Sequence, residues 1–125
     1  MKSVLKRVEE ITETLNTLKP SVIKLLDTKI SAENPSSGSL KIRALLNEKV
    51  FVDIYEFLFE GRVIRYSYSL VKNNRSILRY DNAPHHRSIS TYPHHKHIKE
   101  NKIEALENYD IKSFVEELKR YFKEI

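Results

Sequence analysis

Between residues 2 and 19 the apolar positions Val4, Leu5, Val8, Ile11, Leu15 and Leu18 recur at three- and four-residue spacings, with Lys and Glu between them. That period is helical, so an amphipathic helix is predicted over residues 2–19, ended by Pro20. The pattern then changes to runs rich in Val, Ile, Tyr and Phe. Strands are predicted over residues 21–32, 39–47, 50–59, 62–72 and 75–82, divided by Pro35-Ser36-Ser37-Gly38, Asn47-Glu48-Lys49, Glu60-Gly61 and Asn73-Asn74. Lys102 to Leu106 reads as a short edge strand. Asp110 can cap a helix from Ile111 to about Glu124, whose Ile111, Phe114, Val115, Leu118, Tyr121 and Phe122 form an apolar stripe. The expectation is one α+β domain over residues 1–125, an antiparallel meander of about five strands flanked by terminal helices.

Two of the turns also predict a register. If Glu60-Gly61 and Asn73-Asn74 are two-residue hairpin turns with positive φ, counting outward sets Tyr55 opposite Tyr66 and Asp53 opposite Tyr68, then Tyr68 opposite Arg79 and Tyr66 opposite Asp81. One face would carry Asp53, Tyr55, Tyr66, Tyr68, Arg79 and Asp81 with Phe51, Phe57, Phe59 and Ile64. The other would carry Val52, Ile54, Leu58, Val63, Leu78 and Tyr80, with Glu56 beside Arg65. A slip of one residue would exchange the sets.

Composition narrows the chemistry. With 125 residues, 40% hydrophobic, 31% charged and only two glycines, the chain has the make-up of a single folded domain. It has no cysteine, which removes disulfides and thiolate metal sites. No apolar run approaches the ~20 residues of a membrane span, and the first residues lack an apolar export signal, so a cytoplasmic location is expected. The net charge of +5 favours polyanionic partners. P-loop, GxGxxG and GxSxG motifs are absent.

All five histidines lie between Arg79 and His97, in RYDNAPHHRSISTYPHHKH, where two prolines favour extended or turn backbone. Three readings compete with that of solvated loop residues. In the first, one imidazole takes the proton of an RNA 2′-hydroxyl, a second protonates the leaving oxygen, and Arg or Lys stabilises the phosphate. His85, His94, His95 and His97 are the candidates for proton transfer, with His86 in reserve. Arg79 and Lys96 would hold the phosphate, and Asp81 would orient an imidazole. Tyr66, Tyr68, Tyr80, Arg65 and His86 would contact the substrate, although strand tyrosines more commonly just pack. The second reading is a divalent metal site, with imidazoles and Asp81 suiting zinc, manganese or iron. Against it, adjacent histidines in extended backbone face apart. The third is a non-catalytic nucleic-acid-binding sheet, which leaves the histidines unexplained.

RYSYSL at 65–70, LRYDNAPHH at 78–86 and YPHHKHI at 92–98 resemble the hallmark segments of the TumE-like family, small prokaryotic proteins classed as toxins of toxin–antitoxin pairs. The resemblance covers roughly residues 50–105. It implies a cytoplasmic protein encoded beside a small antitoxin, itself expected to be a DNA-binding repressor that also neutralises the toxin. RNA is the usual target of small basic toxins. The expectation is therefore an RNA-cleaving toxin that uses histidine general acid/base chemistry with no obligatory metal; the alternatives are a metal-dependent nuclease or phosphoesterase using zinc or manganese, and a non-catalytic binding module. The first helix is expected to cover the core rather than to form a dimer, and a homodimer stays open.

Overall fold

The computed structural model describes residues 2–18, 24–47, 49–99 and 101–124. Pro20, the first residues of the strand expected from Ser21, Glu48 and the side chain of Phe122 lie outside them.

Helix α1 (Val4–Asn16) precedes seven strands: β1 (Lys24–Asn34), β2 (Ser37–Asn47), β3 (Val50–Phe59), β4 (Arg62–Lys72), β5 (Arg75–Asp81), β6 (His95–Ile98) and β7 (Lys102–Ala105). Helix α2 (Ile111–Glu124) closes the chain. The strands form one antiparallel sheet in chain order, a meander of seven strands where about five were expected. The added strands are β7, which the sequence marks as a short edge, and β6, which is cut out of the histidine segment itself. Extended backbone after Pro93 finds a partner in β5, so this segment is half strand and half loop.

Both helices lie on one face of the sheet. Ser3 caps α1 by accepting from the Lys6 amide at 3.0 Å, and Asp110 caps α2 by accepting from the Ser113 amide at 2.8 Å. Val4, Ile11 and Leu15 of α1 and Ile111, Phe114, Val115 and Leu118 of α2 are buried against Leu40, Ile42, Val52, Ile54, Leu58, Leu70 and Leu78 of the sheet. Each such side chain contributes about 1.5–3 kcal/mol of transfer free energy. Among the described residues no helix is long and apolar enough to cross a membrane.

Both hairpin turns form as expected, with φ of 49° and 78° at Glu60-Gly61 and 53° and 63° at Asn73-Asn74. The register does not follow from them, because a bulge sits beside each turn. Phe57 pairs with Arg65 and Leu58 with Val63, leaving Ile64 unpaired; Leu70 pairs with Leu78 and Val71 with Ser76, leaving Ile77 unpaired. The true pairs are Glu56 with Tyr66, Ile54 with Tyr68, Tyr68 with Tyr80, and Ser67 with Asp81. Each bulge shifts the pairing by one residue, so the two together invert Arg65–Lys72 with Arg75 and Ser76, and leave β3 and Leu78–Asp81 in their expected relation. Tyr66 and Tyr68 therefore turn under the helices. Arg65, Ser67 and Ser69 join Phe51, Asp53, Tyr55, Phe57, Arg79 and Asp81 on the uncovered face.

Asn82 holds the first bulge. Its Oδ1 accepts from the Tyr66 amide at 3.0 Å and its Nδ2 donates to the Ile64 carbonyl at 3.0 Å, supplying the partners that an unpaired ladder position lacks. Asn82→Ala is expected to cost about 1 kcal/mol, read as a lower urea midpoint at unchanged slope. A midpoint equal to that of the unsubstituted chain would show that water replaces the amide at no cost.

Candidate functional site

β5 and β6 pair as Asp81 with His95, Tyr80 with Lys96 and Arg79 with His97. Alternation then divides the histidine segment between the two faces. Asp81, His95, Arg79 and His97 stand on the uncovered face. Lys96, Tyr80 and the neighbouring His94 point toward the helices.

On the uncovered face Asp81 is the hub. Its Oδ1 lies 2.8 Å from His95 Nε2 and accepts from the Ala83 amide at 3.1 Å. Its Oδ2 accepts from Arg79 Nε at 2.9 Å and lies 3.4 Å from His97 Nε2. The Asp81 carboxylate is buried, as is His95, whose Nδ1 donates to the Pro93 carbonyl at 2.9 Å. Both ring nitrogens of His95 thus face acceptors, so it is fixed in place and has no lone pair directed at solvent. His86 folds back from the loop onto this pair: its ring lies 4.8 Å from that of His95 and 5.6 Å from that of His97. One ring nitrogen from each of His86, His95 and His97 lies within 4.8 Å of the other two.

His97 is half-buried. Burial, then the Arg79 charge, push its pKa below the ordinary histidine value, outweighing the Asp81 carboxylate, which raises it. A neutral imidazole near pH 7 retains a lone pair that can accept a proton. Beside it, Arg79 keeps its guanidinium side chain 39% exposed while Asp81 fixes its Nε. A cavity of about 320 Å³ opens next to this group, walled by Arg79, Asp81, Arg65, Ser67 and Tyr55. A second of about 390 Å³ shares Tyr55 and Ser67 and continues past Lys41 and Arg43 to Lys29. Arg43 is held bidentately by Asp53 at 2.7 and 2.8 Å, whereas Lys41 stands 6.0 Å over the Tyr55 ring.

Several expected site residues lie elsewhere. Lys96 reaches under α2, where its Nζ meets Glu117 at 3.3 and 3.4 Å, so it cannot serve a phosphate beside His97. Glu117 also accepts from the Tyr80 hydroxyl. Tyr66, Tyr68 and Tyr80 are buried, which leaves them no ring face for a base. Burial pushes the Tyr66 phenol up, so it stays protonated and donates to His94 Nδ1 at 2.8 Å, while the His94 ring stacks on Tyr109 with centroids 3.6 Å apart. Burial also lowers the His94 pKa. His94 therefore belongs to an aromatic column and not to the Asp81 group. His85 is exposed and outside both. Of the candidates, Arg79, Asp81, His86, His95, His97 and Arg65 come together. Tyr55, Lys41 and Asn82 were missed as site residues. Lys41 could have been found by carrying the strand alternation back to β2; Tyr55 already stood on the expected face beside Asp53 and Asp81 but was not singled out.

Compared with known proteins, residues 11–125 match the family model described as Toxin TumE. Neither the curated proteins nor the solved structures give a match.

Proposed function

The chain belongs to the TumE family of toxins, and from that premise we propose that it cleaves single-stranded RNA on the uncovered face of its sheet, with His97 and His86 exchanging protons and no metal required. Membership implies a cognate antitoxin; we take that partner to be a DNA-binding protein. The observation that carries the proposal is the Asp81 group: a fixed carboxylate that aligns His95 and Arg79 beside two further imidazoles whose rings are 5.6 Å apart.

In this reading the 2′-hydroxyl attacks the adjacent phosphorus while His97 accepts its proton. A protonated His86 gives a proton to the departing 5′-oxygen, and the P–O5′ bond breaks. The products are a 2′,3′-cyclic phosphate and a 5′-hydroxyl end. Arg79 neutralises the charge that builds on the phosphoryl oxygens. His95 contacts no substrate; with Asp81 it positions the group. The cavities support binding of the flanking nucleotides, with Arg65 and Lys41 beside the backbone and Tyr55 beneath a base.

Cleavage of an RNA oligonucleotide is expected to continue in excess chelator, and to stop when the nucleotide 5′ to the scissile bond is 2′-deoxy. Tyr55→Ala is expected to raise KM about tenfold with little change in kcat, because stacking contributes ~1–3 kcal/mol per base. Intact RNA after incubation with the active protein would refute the reaction. Cleavage lost in chelator and regained with one added ion would instead assign the histidines as ligands of a metal-dependent nuclease.

A further inference from the structure

We infer that His86, His95 and His97 form a binding site for one divalent transition-metal ion of the zinc class, and that its occupancy switches off the proton transfer described above. The first half stands on geometry alone; the second rests on the proposed reaction.

Three imidazoles from two segments of chain each bring one ring nitrogen within 4.8 Å of the other two. Bonds of ~2.0–2.1 Å to a common ion require donors roughly 3.3 Å apart, so the widest pair needs to close by about 1.5 Å. Two of the three hang from one short strand, paired across the ladder with Asp81 and Arg79, and the third arrives from the loop that leaves Asp81. The expected obstacle, that adjacent histidines face apart, does not arise: His86 is used without His85, and His95 and His97 without His94.

The surroundings are those of a metal centre in two further respects. Pro93 accepts from His95 Nδ1, which directs Nε2 inward; ligating histidines almost always have such an outer hydrogen bond. Asp81 Oδ1 lies 2.8 Å from His95 Nε2 and Oδ2 3.4 Å from His97 Nε2, so the carboxylate flanks the set, and an ion bound to His95 Nε2 takes the place of the direct His95–Asp81 contact. Three neutral nitrogen donors favour zinc, nickel, cobalt or copper over magnesium and calcium, which take oxygen. His97, partly exposed, leaves an entry path.

An ion bound here uses the ring lone pairs of both His86 and His97. Neither could then accept or deliver a proton for a 2′-hydroxyl, so metal occupancy and metal-free cleavage exclude each other.

The test uses the full chain freed of metal by chelator. Calorimetric titration with zinc chloride is expected to give one ion per chain, with no saturable heat from magnesium. Cobalt chloride should give visible d–d absorption that zinc abolishes. His86→Gln and His97→Gln should each weaken zinc binding about 100-fold, and His85→Gln should bind like the unsubstituted chain. Zinc should inhibit RNA cleavage with a midpoint matching the binding constant, reversed by chelator. Absent saturable binding, or zinc affinity in His86→Gln and His97→Gln equal to that of the unsubstituted chain, overturns the site; the cobalt spectrum of the unsubstituted chain settles the matter if a variant fails to fold. Binding accompanied by faster cleavage overturns the switch and, with it, the metal-free reaction. Stoichiometric zinc binding by a chain that never cleaves RNA overturns the proposed function alone.

Discussion

His97→Ala is expected to reduce RNA cleavage by about 10²–10⁴-fold and to abolish growth arrest on expression, while His94→Ala, three residues away, changes cleavage less than about tenfold. The contrast follows from which face of β6 each ring stands on. His97 sits across the ladder from Arg79 and 3.4 Å from the Asp81 carboxylate, with a lone pair left over. His94 spends its Nδ1 on the Tyr66 hydroxyl and its ring face on Tyr109, on the helix side of the sheet. Both rings have their pKa lowered by burial, so protonation cannot distinguish them, whereas position can. Deleting a group that accepts the proton in the transition state lowers kcat and kcat/KM together. Cleavage by His97→Ala within tenfold of the unsubstituted chain, with a melting curve to match, would remove His97 from the reaction. An equal loss in His94→Ala would mean that the aromatic column, and not the Asp81 group, holds the substrate.

The helices, the turns and every strand but β6 are legible from hydrophobic period and turn residues alone, because those signals are local. Positive φ at Glu60-Gly61 and Asn73-Asn74 was legible for the same reason. The register was not, because the bulges at Ile64 and Ile77 depend on partners distant in sequence: Asn82 for one, and the Lys99 amide donating to the Ile77 carbonyl at 3.2 Å for the other. One signal was available. Tyr66, Ser67, Tyr68, Ser69 and Leu70 alternate apolar with polar, which places the tyrosines inward whatever the count from the turns says. Choosing turn geometry over that alternation put two buried tyrosines on the uncovered face, beside Tyr55, which does stand there.

The chemistry of the histidine segment was legible as composition and not as constellation. Asp81 could be recognised as an orienting group, and Arg79 as its neighbour two residues back, because both are fixed by strand periodicity. The sorting of five histidines into one Asp81 group, one aromatic column and one exposed ring needed the β6 pairing, which the prolines made hard to foresee. Lys96 illustrates the cost of reading HHKH as a linear cluster. It lies between two site histidines in sequence and on the opposite face of the sheet in space.

The largest expected effect on stability lies behind the site, at Arg7. Glu56 is fully buried in the middle of β3, where a lone carboxylate would be very costly. It is held by Arg7 Nε at 2.6 Å, Arg7 Nη2 at 2.7 Å and the Tyr68 hydroxyl at 2.5 Å. Burial opposes the Arg7 charge, but the hydrogen bonds and charge of Glu56 outweigh it and carry the guanidinium pKa above its ordinary value. Arg7→Met keeps most of the side-chain volume and leaves Glu56 without its cation, so it is expected to cost about 3–5 kcal/mol in urea denaturation. The melting temperature should fall by roughly 10 °C or more. Arg7→Met combined with Glu56→Leu should recover most of that loss, because a buried ion pair replaced whole by apolar side chains is close to neutral, whereas a broken one is not. Single and double variants equally unstable would mean that Arg7 acts by fixing α1 and not by compensating Glu56. Below its melting temperature each variant should cleave RNA at the unsubstituted rate per folded molecule, since the pair faces the helices and the Asp81 group faces away. A variant that stays folded yet loses cleavage would show that the helix-covered side also shapes the reacting one.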